Sequence, residues 1–273
     1  MTGLSEAIRR HRREGREAPI HCFTSIDSTN AEAHRLLENG SPPEGTAVLA
    51  DAQTAGRGRG GRSWFSPPGA GLYLSVIFHP GGAAAPHLTL AAGVAAATAL
   101  EQIAGRAPTL KWPNDLAYDG RKVGGILTEA RAISGQIQTV VVGIGVNLLQ
   151  RPEDFPAGLR PAATSVAAAT GRQVDKAELA ARILDELDAG HRLLGRDGFA
   201  PVAEAWKRRS STLGKSVRVM QGGKGGEGGG GAPVEGVAKD LAADGSLVIE
   251  TPAGSVRVHA GEVEEIGRTE CSL

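Results

Sequence analysis

Apolar residues recur along this chain with two different periods. Thr89–Ala104 is alanine-rich with helical spacing. Val174–Leu194 places Leu179, Ile183, Leu187, His191 and Leu194 on one face behind Asp175, a capping residue, and a short helix over Phe199–Arg208 follows. Short apolar runs at Thr46–Ala50, Leu72–Phe78, Leu110–Trp112, Val123–Ala130 and Val140–Val146 predict buried strands parted by Gly or Asp turns. Successive strands with helices elsewhere predict an α+β fold around a mixed or antiparallel sheet. After Ser210 the pattern changes to short alternating strands, Val217–Met220, Glu235–Asp240, Leu247–Glu250 and Val256–His259, with Asp244-Gly245 and Ala253-Gly254 as hairpin turns. These predict a small β-barrel from about residue 212, hence an extension over 1–19, a main body over 20–211 and a C-terminal module over 212–273. Gly222–Gly231, with eight glycines in ten positions, reads as a flexible loop inside that module.

Two segments depart from simple periodicity. Thr24–Asn30 runs into a helix over Ala31–Glu38, where Thr29-x-x-Glu32 has capping-box form and Gly40 stands as the stop. Ser28, Thr29 and Asn30 are thereby expected at a helix N-terminus, where the dipole is positive. Asp51–Gly71 holds too many glycines and prolines for regular structure, and a loop of that length within a compact body is more often functional than connecting.

Composition narrows the classes of function. Lys+Arg and Asp+Glu each total 30, so the net charge is zero and general adhesion to nucleic acid or anionic membrane is not expected. Cys22 and Cys271 form no metal-binding or redox spacing, and no apolar run reaches membrane-spanning length, so a reducing, cytoplasmic setting is expected. The arginine-rich N-terminus has no apolar core of a secretion signal, and fewer than thirty residues precede Ser28, too few for a helix-turn-helix module, so no DNA binding is expected. Gly56, Gly58 and Gly61 satisfy GxGxxG, but Ser66-Pro67-Pro68 follows instead of a helix; Gly214-Lys215-Ser216 lacks the first P-loop glycine, since Arg209 stands there. The seven histidines are scattered and read as surface or core residues.

The chemistry concentrates in two clusters. Gly56-Arg57-Gly58-Arg59-Gly60-Gly61-Arg62-Ser63-Trp64 sets three arginines on a backbone able to approach a ligand closely, an arrangement suited to gripping phosphate and carboxylate. Downstream, Lys111-Trp112-Pro113-Asn114-Asp115-Leu116 and Lys122-Val123-Gly124-Gly125-Ile126-Leu127 bring further cations beside glycine-bearing strands. Gly143-Ile144-Gly145-Val146-Asn147 repeats the glycines on the next strand, and together they predict a flat floor against which a ligand lies.

This set resembles the biotin–protein ligases, whose motifs GRGRxxRxW, KWPNDL and K(V/L)xGIL are matched by Gly56–Trp64, Lys111–Leu116 and Lys122–Leu127. Ser28-Thr29-Asn30, Gln53 and the GxGxN strand ending at Asn147 match as well, so the resemblance covers nearly the whole chain from about residue 20. It implies a catalytic domain related to class II aminoacyl-tRNA synthetases and an SH3-like C-terminal barrel. It further implies attack of the biotin carboxylate on the ATP α-phosphate to give biotinyl-5′-AMP, then transfer to a lysine of a biotin carboxyl carrier protein.

For such a reaction Arg57, Arg59, Lys111 and Lys122 are the candidate catalytic cations, because a carboxylate attacking a phosphate brings negative charges together. Ser28, Thr29, Asn30, Gln53, Gly56, Arg57, Gly58, Arg59, Trp64, Lys122, Gly124 and Gly125 are the expected biotin-binding set. Arg57, Arg59, Arg62, Trp64, Lys111, Asn114 and Asn147 are expected to hold ATP and the adenylate. Trp112 either walls the ligand or fills core. Mg²⁺ is implied with ATP, with Asp115 as its ligand or as a lysine orienter. A homodimer through edge-strand pairing is compatible with the sequence. The alternatives are a lipoate–protein ligase, which shares fold and adenylation logic, and a non-catalytic biotin- or nucleotide-binding module.

Overall fold

The computed structural model describes residues 2–13, 15–80, 85–133, 136–220 and 232–266. The Gly222–Gly231 loop and Cys271 lie outside them. The main body runs α1 (Thr2–His11), β1 (Ile20–Ile26), α2 (Thr29–Asn39), β2 (Ala47–Gln53), β3 (Gly71–Phe78), α3 (Ala85–Ala104), β4 (Thr109–Lys111), β5 (Asp115–Tyr118), β6 (Arg121–Ile133) and β7 (Gln136–Asn147). Then come α4 (Val166–Thr170), α5 (Lys176–Asp197) and α6 (Ala200–Lys207), and five strands: β8 (Ser216–Met220), β9 (Val234–Leu241), β10 (Leu247–Thr251), β11 (Gly254–Val258) and β12 (Glu262–Glu265).

Seven strands form one sheet in the order β1-β2-β3-β7-β6-β5-β4. The β1–β2 pair is parallel and the others antiparallel, so the fold is mixed α+β, as expected in class. The parallel pair follows from α2, which carries the chain back across the sheet between β1 and β2. Helices cover both faces. α3 and α5 bury Leu72, Leu74, Val76, Phe78, Val140, Val142, Ile144 and Val146 on one side. On the other, Ala33 of α2 packs with Val48, Ile77 and Val141. Because β3 is covered on both sides, all eight of its residues are buried, which is why it reads as an unbroken apolar run.

α2 covers only part of its face. Side chains alternate along a strand, so Tyr73 and Ser75 share the α2 side with Ile77, and Gly143, Gly145 and Asn147 share it with Val141. The register Gly125↔Gly145, Leu127↔Gly143 and Glu129↔Val141 places those three residues of β6 on the same side. Among the described residues, no helix covers the half of this face beyond the α2 N-terminus.

Several expectations are corrected. The helix cap is Ser28, whose hydroxyl accepts from the Ala31 amide, one residue before the Thr29 of the capping-box reading. Glu32 instead pairs with Arg35. The 1–19 segment contains α1, whose Ile8 is fully buried and which packs on α5, where Arg12 pairs with Asp185 and Asp188. The Asp51–Gly71 loop is more ordered than its composition suggests: β2 extends to Gln53, a 3-10 turn spans Arg59–Gly61, and Arg57 bridges to Ser63.

The C-terminal strands form a five-stranded antiparallel sheet in the order β11-β10-β9-β8-β12. Trp112 ties it to the main body. The indole is 2% exposed, its amide donates to Thr212 Oγ1 at 2.9 Å and its Nε1 donates to the Gly245 carbonyl at 3.2 Å. This resolves Trp112 as core. Trp112→Phe leaves the Gly245 carbonyl without that donor, and is expected to destabilise the chain by about 1–2 kcal/mol. Urea denaturation checks it; an unchanged midpoint would show the tie to be idle.

Candidate active site

A cavity of about 360 Å³ opens on the uncovered half of the α2 face, within the range of small-ligand sites. Its floor is the glycine pair predicted from β6 and β7. A Cβ on Gly145 would lie 2.6 Å from Trp64 Cε2, so only glycine admits the indole there, while one on Gly125 would lie 3.4 Å from Trp64 Cζ3, in contact with it. The flat group lying against the floor is thus Trp64 of the loop. Its Nε1 is buried and has no hydrogen-bond partner among the described residues. Lys122 Nζ stands 5.5 Å from the Trp64 ring centroid.

One end of the cavity is neutral and densely hydrogen-bonded. The Thr29 amide and hydroxyl donate to Gln53 Oε1 at 2.9 and 3.2 Å, and Gln53 Nε2 donates to Ser66 Oγ at 2.8 Å. An amide N–H can only donate, so it fixes which end of the Gln53 amide faces Thr29. Ser75 Oγ donates to Asn30 Oδ1 at 2.5 Å and lies 2.8 Å from Thr29 Oγ1. Asn30 Nδ2 donates to Glu129 Oε2 at 2.8 Å and to the Leu127 carbonyl at 3.4 Å. Among the described residues, no acceptor takes the Ser28 hydroxyl hydrogen or the second Gln53 amide hydrogen.

The other end is cationic. Lys122 Nζ donates to Asp115 Oδ1 at 2.5 Å, Arg59 Nη1 to Asn114 Oδ1 at 3.2 Å, and Arg62 Nη1 to Glu262 Oε1 of β12 at 2.7 Å. Lys111 is exposed at the rim. Asn114 is itself held by β6, donating to the Ile126 carbonyl at 2.8 Å. Burial pushes the Arg59 guanidinium below its ordinary value, opposed by the charge of Asp115. Arg57 Nη2 donates to Glu129 Oε2 at 2.8 Å, and His34 Nε2 lies 3.2 Å from the same oxygen. Burial raises the Glu129 carboxyl, but the hydrogen bonds from His34 and Asn30 and the charge of Arg57 outweigh it and hold it below the ordinary glutamate value.

Of the residues expected from sequence, Ser28, Thr29, Asn30, Gln53, Arg57, Gly58, Arg59, Arg62, Trp64, Lys111, Asn114, Asp115, Lys122, Gly125 and Asn147 line this one cavity. Gly56 and Gly124 do not. A Cβ on Gly56 would lie 2.6 Å from the Trp64 carbonyl, so that glycine lets the loop close on itself; one on Gly124 would lie 2.9 Å from the Gly145 carbonyl, so it serves strand approach. Asn30, 4% exposed, spends its amide on Ser75, Glu129 and Leu127, and Asn147 spends its own on Thr164 and Gln150. Both shape the walls. Sequence reasoning missed Glu129, Ser75, Tyr73 and Glu262. Glu129 was within reach, since it follows Gly125 by four residues on one strand and so shares its face.

The magnesium expected with ATP would need oxygen donors. Among the described residues, only Asp115 and Glu262 supply carboxylates to the cavity, and each already accepts from a cation. No group of three His, Cys, Asp or Glu residues among the described residues could hold a metal. The chain's own donors therefore do not fit a protein-built metal cage, and Asp115 sits as the partner of Lys122.

Comparison with known proteins places this geometry. Residues 22–147 match the Biotin/lipoate A/B protein ligase family, and residues 212–264 match the Biotin protein ligase C terminal domain. The chain is 36% identical to the Bifunctional ligase/repressor BirA of Bacillus subtilis over 88% of its own length and 71% of that protein's. It is 38% identical to the Biotin--[acetyl-CoA-carboxylase] ligase of Paracoccus denitrificans, covering 87% of this chain and 96% of that one. Among solved structures, the biotin protein ligase from Aquifex aeolicus in complex with biotin and ATP superposes with a TM-score of 0.76 at 30% identity, covering 90% of this chain and 97% of that one. With both halves of the chain matched and relatives aligned over most of its length, the chain belongs to the biotin protein ligase family.

Proposed function

We propose that the chain activates biotin with ATP as biotinyl-5′-AMP and transfers the biotinyl group to a lysine of a biotin carboxyl carrier protein. The carrying observation is that one cavity joins a neutral hydrogen-bonding end, at Ser28, Thr29 and Gln53, to a cationic end at Lys122, Arg59 and Lys111. A ureido ring is neutral and polar, so fixed amides and hydroxyls recognise it better than charges do. The carboxylate tail then reaches Lys122, whose ammonium screens it from the approaching phosphate. In the first step a carboxylate oxygen bonds to the α-phosphorus and pyrophosphate leaves, with Arg57, Arg59, Arg62 and Lys111 balancing the charge. In the second, the carrier amine bonds to the acyl carbon, AMP leaves with the bridging oxygen, and Lys122 steadies that oxygen as its charge grows. Magnesium is proposed to arrive on the triphosphate.

The finer assignments belong to the same proposal. The main body, residues 20–211, is a class II aminoacyl-tRNA synthetase-like domain, and residues 212–273 form an SH3-like module; the β8–β12 sheet with its core of Val217, Val219, Leu247 and Ile249 supports the latter. No described helix is long and apolar enough to cross a membrane, and a cytoplasmic location is proposed. A homodimer and the absence of DNA binding complete the reading, tested by sedimentation and by duplex titration at low salt.

The deciding experiment is biotin-dependent exchange of labelled pyrophosphate into ATP, with lipoate in parallel and a carrier domain added afterwards. Exchange with biotin and labelling of the carrier lysine are expected. Exchange with lipoate alone would change the substrate and keep the fold; exchange with neither would leave a binding module.

A further inference from the structure

Arg57 is flanked by Gly56 and Gly58 and is 41% exposed, so nothing in its own loop fixes its side chain. What it touches is Glu129, on β6 opposite Val141 of β7 and outside the cavity lining. Only one guanidinium nitrogen, Nη2, is engaged there, which leaves Nη1 and Nε to an anion. The same Glu129 oxygen receives Asn30 at 2.8 Å, and Asn30 is locked by Ser75 and Leu127. Glu129 is therefore held from α2, by Asn30 and by His34 at 3.2 Å, while among the described residues Glu129 is the group that holds the Arg57 side chain.

We propose that Glu129 is a positioning residue for Arg57, aiming the guanidinium into the cavity by anchoring it to the rigid Asn30–Ser75 network. This rests on the reading that Arg57 meets a phosphate. A carboxylate near a phosphate site also repels it, and the two effects compete. Glu129 accepts from Arg57 Nη2, so the guanidinium charge offsets the repulsion of a bound phosphate by the carboxylate. Fixing a long side chain on a glycine-flanked loop before the ligand arrives removes an ordering cost from binding, so anchoring outweighs repulsion.

Calorimetric titration of α,β-methylene ATP, which cannot release pyrophosphate, into the biotin-loaded chain tests this through a double-mutant cycle. Glu129→Gln keeps an acceptor oxygen for Asn30 but removes the charge; binding of the analogue is expected to weaken about fivefold, with biotin binding and the melting temperature near wild type. In an Arg57→Ala background the same change is expected to add no more than about twofold. Glu129→Asp, which keeps the charge, is expected to fall between wild type and Glu129→Gln, and it carries the test if the glutamine variant folds poorly. In the ligand-free chain, Glu129→Gln is expected to speed tryptic cleavage after Arg57 and Arg59. Unchanged affinity for the analogue and unchanged cleavage in Glu129→Gln, or the full loss persisting in Arg57→Ala, would overturn the assignment. Wild-type pyrophosphate exchange separates the two readings: an additive cycle in a chain that exchanges normally removes Glu129 alone, whereas a non-additive cycle without exchange removes the proposed function and leaves the anchor.

Discussion

Replacing Lys122 by alanine is expected to lower biotin-dependent pyrophosphate exchange by about 10²–10³-fold, the usual cost of removing one preorganised charge-stabilising donor. Two effects of the same sign combine. The ammonium that screens the biotin carboxylate is lost, and Asp115, whose Oδ1 accepts from Lys122 at 2.5 Å, is left as an uncompensated anion where two further anions must meet. Biotin head-group binding should survive better than turnover, because Ser28, Thr29 and Gln53 are untouched. Lys111→Ala, at an exposed rim position, should cost much less. Exchange by Lys122→Ala within about tenfold of wild type would remove Lys122 from the reacting centre.

The second large effect is expected at a position with no side chain. A Cβ on Gly143 would fall 2.2 Å from Asn30 Oδ1 and 2.9 Å from Asn30 Cγ. Asn30 cannot swing aside cheaply, since Ser75, Glu129 and the Leu127 carbonyl all hold its amide. Gly143→Ala should therefore break that network inside a buried wall, destabilising the chain by about 2–4 kcal/mol and weakening biotin binding by about tenfold or more. Gly190→Ala in α5 is the control, because its nearest neighbour is Ala91 Cβ at 3.9 Å; there the gain in helix propensity should leave stability equal or up by about 0.5–1 kcal/mol. Thermal melts and biotin calorimetry on both variants check the pair. A Gly143→Ala protein that melts and binds like wild type would mean the wall is softer than its hydrogen bonds suggest.

What could be read from sequence, and what could not, divides by range. α5 was legible with its Asp175 cap because both the 3.6-residue pattern and the cap are local properties. β3 and β7 were legible as apolar runs. β5 was missed because four residues between two turns carry too little pattern, and α1 was missed because its polar, arginine-rich sequence looks like a solvated tail until α5 supplies Asp185 and Asp188. The parallel pairing of β1 with β2 was likewise unreadable, since strand direction is set by where the intervening helix packs.

By itself the sequence determined the types of the longer, strongly patterned elements, the arginine loop, the two lysine motifs and the strand glycines, because each is encoded within about ten consecutive residues by spacing, backbone permissiveness and charge. Tertiary structure alone decided how those pieces are used. Pairing Gly125 with Gly145 made a floor and seated Trp64 on it. Burial set Asn30 and Asn147 into the cavity wall with their amides bonded to protein neighbours and placed Trp112 between body and C-terminal sheet. Glu129 came to lie under Arg57 from 72 residues away. Hydrogen-bond satisfaction in a buried site depends on which groups meet in space, and partners so far apart along the chain leave no local pattern to read.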